Sequence, residues 1–112
     1  MSKSMLRTIV VVAGLATAVI HLFLNVLMGS LSIPFTLNGL GYLALTGAFA
    51  FDPPALRGQR RLLHYAFMAF AAVTIVAWFV LGDMGDVLGI VTKLIEVALI
   101  AALAMHLKAE AS

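Results

Sequence analysis

His21 and Asn25 lie four residues apart, as do Asn38 and Tyr42, and Lys93 and Glu96 lie three apart. Both spacings place the members of a pair on one face of a helix. The six supply an imidazole, two amides, a phenol, an ammonium and a carboxylate to a chain otherwise short of such groups. A set of this kind can bind a small ligand, a lipid headgroup or a quinone-like ring, or pass protons. It can equally be structural and pin helix register, as buried polar groups do in some proteins. His64 and His106 stand apart from it. Imidazole is a standard axial haem ligand, which makes these two a candidate bis-His pair. The chain has no H-x-x-x-H pattern, no paired carboxylates and no Ser/His/Asp arrangement, so neither hydrolytic catalysis nor a metal site is expected. The absence of Cys removes disulfides, thiolate chemistry and iron–sulfur ligation.

The surroundings give these residues their meaning. Hydrophobic residues make up 63% of the 112-residue chain and charged residues 11%, and the mean hydropathy is +1.12. A soluble domain carries about 25% charged residues. So few cannot cover a water-facing surface, and the lipid bilayer is the expected solvent. The net charge of +2 is too small, and the cations too dispersed, for a nucleic-acid-binding stripe.

Four apolar stretches, about residues 8–28, 33–51, 62–81 and 87–107, each approach the roughly 20 residues needed to cross a hydrocarbon core. The alternation of a β-barrel strand is missing. The expected fold is an all-α integral membrane four-helix bundle, up-down-up-down, forming one transmembrane domain over residues 1–112. Ser32 is the expected cap of the second span, with Pro34 in its first turn. Asp52-Pro53-Pro54 stops that span. Asp86 is the expected cap of the fourth. Lys3 and Arg7 ahead of an apolar run, with Ala16-Thr17-Ala18 inside it, have the look of a signal peptide. The run continues to Met28, however, which is too long, so a retained first span is expected.

Lys3, Arg7, Arg57, Arg60, Arg61 and Lys108 fall on one side of the four crossings, while the opposite turns carry Asp83 and Asp86. By this asymmetry both termini are expected in the cytoplasm. At 1.5 Å per residue, His21 then lies about 10 Å below the outer boundary, and Lys93 and Glu96 about 10–14 Å below it. Asn38 and Tyr42 enter from the same side, and Thr74 and Trp78 occupy the outer half of the third span. The polar set thus shares one slab. His64 and His106 share the cytoplasmic boundary, out of reach of His21. Small residues four apart, such as Gly14 and Ala18, allow close helix approach.

Three segments carry a resemblance: Leu37-Asn38-Gly39-Leu40-Gly41-Tyr42, Trp78-Phe79-Val80 and Thr92-Lys93-Leu94-Ile95-Glu96-Val97. They resemble small prokaryotic four-span membrane proteins of unknown function, in which a first-helix His and a last-helix Lys-x-x-Glu recur. The resemblance covers most of the chain. It implies a four-helix membrane fold and directs attention to His21, Lys93 and Glu96, and it implies no activity. The expected function is non-catalytic and cofactor-free: binding a partner subunit or a small apolar ligand, with self-association or accessory service in a larger membrane complex. The alternative is an electron- or proton-transfer protein holding haem b or a quinone.

Overall fold

A computed structural model of the chain describes residues 2–29, 33–51, 54–81 and 87–111. It is all-helical. Helix α1 spans Lys3–Met28, α2 Ile33–Phe51, α3 Arg60–Leu81 and α4 Val87–Ala111, with a 3₁₀ helix at Pro54–Gln59 between α2 and α3. Helices α1, α3 and α4 are long and apolar enough to cross a membrane. The apolar part of α2, Phe35–Phe51, is shorter. With 19 residues in all, α2 is about 28 Å long. The expected caps at Ser32 and Asp86, the Asp52-Pro53 stop and the acidic turn with Asp83 lie outside the described residues.

The helices outrun the apolar stretches at the basic end. α1 starts at Lys3 because Ser2 caps it, its Oγ accepting from the Met5 N–H at 3.1 Å. α4 runs on to Ala111, with Lys108 in its last turn suiting the negative end of the helix dipole. Gly29 ends α1 at φ 68°, a left-handed conformation that glycine takes without Cβ strain. The segment expected as a plain polar loop contains the 3₁₀ helix, opened by Pro54, whose fixed φ suits a first turn.

Cross-helix contacts give the directions. Arg7, near the start of α1, reaches Ala50 near the end of α2, and Asn25 in the last turns of α1 meets Thr36 at the start of α2. Arg60 opening α3 reaches Phe49, and Thr74 higher on α3 meets Asn38. His64 low on α3 meets His106 late in α4, while Trp78 meets Lys93. Each pair of neighbours is therefore antiparallel. α1 packs broadly on α2 and α4, α3 packs on α4, and α2 on α3 more lightly, which closes a ring of four. Leu6, Val10, Phe49, Phe67, Leu99 and Leu103 fill its interior. Large apolar residues such as Val19, Phe23, Leu40, Val76, Phe79 and Leu94 cover the outside.

The C-terminus of α2 leaves carbonyls that its own ladder cannot satisfy. Arg7 of α1 donates to Ala50 O, and Arg60 of α3 donates to Phe49 O at 3.2 Å. Two neighbouring helices thereby fix the height of the shortest one. The cations Lys3, Arg7, Arg60, Arg61 and Lys108 gather at this end of the bundle.

Candidate functional site

Glu96, one turn beyond Thr92 on α4, is completely buried. Tyr42, equally buried on α2, donates its hydroxyl proton to Glu96 Oε2. The Lys93 ammonium, one turn earlier on α4, pairs with Oε1. Apart from this ion pair, Oε1 has no hydrogen-bond partner among the described residues. Carboxylate and ammonium cancel, and the trio as a whole is neutral. Neutrality matters here, because a lone charge in low dielectric is costly. The Lys93 ammonium also lies 6.0 Å from the Trp78 ring centroid, within cation–π range.

His21 of α1 completes the cluster by stacking rather than by hydrogen bonding. Its ring lies 5.7 Å from that of Tyr42 at 29°, and Phe35 approaches edge-on at 6.5 Å. Its Nδ1 stands 2.8 Å from Thr17 O. A carbonyl only accepts, so Nδ1 carries a proton, and in the neutral form of the ring the lone pair is then at Nε2. Phe70 meets Tyr42 edge-on at 4.9 Å and fixes the phenol from the α3 side.

The two amides sit further out. Thr74 Oγ1 lies 2.7 Å from Asn38 Oδ1 and 2.9 Å from Phe70 O, so one hydroxyl proton is shared between two acceptors. Asn25 Nδ2 donates to Thr36 Oγ1 at 2.9 Å, tying α1 to the first turn of α2. Of the six residues singled out by spacing, Tyr42, Lys93, Glu96 and His21 form one assembly. Asn38 links α2 to α3 beside it, and Asn25 belongs to the α1–α2 junction. Thr74 and Thr36 are the partners that pairwise spacing within a helix could not supply.

His64 and His106 also meet, at the opposite end. Their rings stack at 5.2 Å and 14°, and His64 Nε2 lies 2.9 Å from His106 Nδ1. A haem held between two imidazoles needs the nitrogens on opposite sides of the metal, about 4 Å apart for bonds of about 2.0 Å. In this structure the two nitrogens are hydrogen-bonded to one another and stand closer than that. Phe49 stands edge-on to both rings, at 5.4 and 5.0 Å. Glu110 of α4 joins them, with oxygens 3.9 Å from His64 Nε2 and 3.7 Å from His106 Nδ1. Glu110 also takes a hydrogen bond from Arg60 Nη2 at 3.1 Å. Sequence reasoning missed Glu110, although His106 and Glu110 show the same four-residue spacing used elsewhere.

Between these two layers the Oγ1 atoms of Thr17 and Thr46 are buried without a hydrogen-bond partner among the described residues. Thr46 faces Gly14, where a Cβ would run into its side chain.

What the fold and the cluster define is an all-helical protein, three of whose helices can cross a membrane, with a charged network at its centre. Residues 1–107 match DUF7475, a family of unknown function, and the chain belongs to that family. No curated protein and no solved structure matches it.

Proposed function

We propose that this is a non-catalytic integral membrane protein of a prokaryotic cytoplasmic membrane. It crosses four times, with both termini in the cytoplasm, and acts by binding a partner subunit across its lipid-facing surface. The observation that carries this reading is the closed pairing of Tyr42, Lys93 and Glu96. The phenol proton goes to the carboxylate, and the carboxylate charge meets the ammonium. Acid–base or nucleophilic catalysis needs a group held ready for substrate, and this trio spends its groups on holding α2 against α4. The basic end, with Arg7, Arg60, Arg61 and Lys108, supports the orientation, since cytoplasmic loops collect Lys and Arg.

Native mass spectrometry of the full chain released from mild detergent tests the proposal. Assemblies larger than one chain, or a co-purifying second protein, support it. A monomer carrying one equivalent of a small molecule overturns it.

That second outcome belongs to the other reading, a quinone- or haem-binding transfer protein. One observation favours the quinone form. His21 is buried against Tyr42, and its Nε2 makes no hydrogen bond among the described residues. A lone pair there would accept from a quinol hydroxyl. Organic extraction that yields a quinone, or a Soret band in the purified protein, selects this class instead.

A further inference from the structure

We propose that His64, His106 and Glu110 form a binding site for a divalent transition-metal ion, with zinc as the best-matched ion. The site lies at the basic end, separate from the Tyr42–Lys93–Glu96 cluster, and does not depend on the function proposed above. Three donor atoms, one from each residue, lie within 4.8 Å of one another. Around a tetrahedral zinc ion with bonds of about 2.0–2.1 Å, neighbouring ligand atoms stand about 3.3–3.4 Å apart. The two nitrogens stand 2.9 Å apart, and the carboxylate offers Oε2 at 3.9 Å from His64 Nε2 and Oε1 at 3.7 Å from His106 Nδ1, so a modest rotation of Glu110 brings one oxygen to that edge. This spacing is close to what a small ion needs from adjacent ligands.

The donors are pre-oriented. His64 Nδ1 stands 2.7 Å from Arg60 O and donates to it. The lone pair of His64 is therefore at Nε2, aimed at the cluster, and the carbonyl acts as the supporting partner that metal-bound histidines usually have. Phe49 buttresses both rings edge-on. Without metal, His106 Nδ1–H donates to His64 Nε2. Binding requires His106 to carry its proton on Nε2 instead, which frees Nδ1 and leaves the net charge of the ring unchanged. Two nitrogens and a carboxylate suit zinc or cobalt better than calcium or magnesium, which prefer oxygen. Three protein ligands leave a fourth position for water or an incoming group.

Access is provided for. Glu110 is only partly buried, and it lines a groove of about 470 Å³ with Arg60, Arg61, Ala104, Leu107 and Lys108. The cations set the opposing force. Arg60 already holds Glu110 Oε1, so an incoming metal competes with a guanidinium for the carboxylate charge, and Lys3, Arg61 and Lys108 add repulsion at the same end. Affinity is therefore tuned by Arg60.

The test uses the purified full chain in detergent, stripped with chelator, titrated calorimetrically with Zn²⁺ and followed with Co²⁺ by visible absorption. Expected are saturation at one ion per chain and the intense absorption of tetrahedral cobalt. Glu110→Gln and His106→Gln each weaken Zn²⁺ binding by at least about tenfold, with helix content by circular dichroism showing that both variants fold. Arg60→Gln strengthens binding by releasing Glu110. Absence of saturable binding overturns the proposal, as does binding that Glu110→Gln leaves unchanged.

Discussion

Glu96 has nowhere to send its charge except Lys93 and Tyr42. Glu96→Gln leaves the Lys93 ammonium without its counter-ion at a position only 9% exposed. Breaking one member of a buried pair costs about 3–5 kcal/mol in protein interiors. The expected outcome is a markedly lower thermal midpoint in detergent. Lys93→Met combined with Glu96→Gln removes both charges, and it is expected to be milder than the two single costs added together. A double-mutant cycle reads this directly, and strict additivity would show that the pair is not coupled. Tyr42→Phe is gentler, because the carboxylate keeps Lys93. It removes one charge-assisted hydrogen bond, worth about 1–2 kcal/mol given the modest bonds measured within membranes. Unchanged stability in Tyr42→Phe would mean that the phenol only fills space.

The helices determine which of these side chains can meet. Gly41 of α2 faces Phe70 of α3, and a Cβ there would fall among the ring atoms. Gly41→Ala is expected to push α2 from α3 and loosen the Phe70–Tyr42 contact at 4.9 Å. Gly47 on the same helix has nothing nearer than 4.0 Å, from Phe51. Gly47→Ala is expected to stabilise by up to about 1 kcal/mol through helix propensity alone. Opposite signs for two Gly→Ala changes on one helix, measured by thermal unfolding, check the ring packing, and equal effects would argue against it. The four helices were legible because apolar length is written directly in the sequence. Lys93 with Glu96 was legible for the same reason, since both sit on one helix one turn apart. Tyr42 and Glu96 were placed in one slab by depth, but their bond across the ring was not foreseen, because helix order makes α2 and α4 diagonal. The Thr74–Asn38 and Asn25–Thr36 bonds were not legible either, because depth leaves the rotation of each helix about its axis undetermined. Glu110 escaped because it lies beyond the apolar stretch, where α4 was expected to have ended. His64 and His106 were placed at one height by counting residues, but only the rotations of α3 and α4 decide that two nitrogens come within 2.9 Å.

For the whole molecule, the chief question is which end faces the cytoplasm. The bundle measures 44 × 26 × 21 Å, and its long dimension matches a bilayer with its headgroup regions, about 40–45 Å. Its two ends differ in charge. Arg7 and Arg60 hold the last carbonyls of α2, and Arg60 holds Glu110, so several of the cations on which the proposed orientation rests also fasten the helices. The opposite of the proposed orientation would carry these cations to the outer face, against the bias that retains Lys and Arg inside. Gln59 is exposed at the basic end, and Val87 is exposed at the start of α4 at the other. The native chain has no cysteine, so single introduced thiols report cleanly. In intact cells, Val87→Cys is expected to react with a membrane-impermeant maleimide. Gln59→Cys is expected to react only after the membrane is opened. The reversed pattern would invert the molecule. It would also place the His64–His106–Glu110 cluster on the outer side, where it would meet a different supply of metal ions.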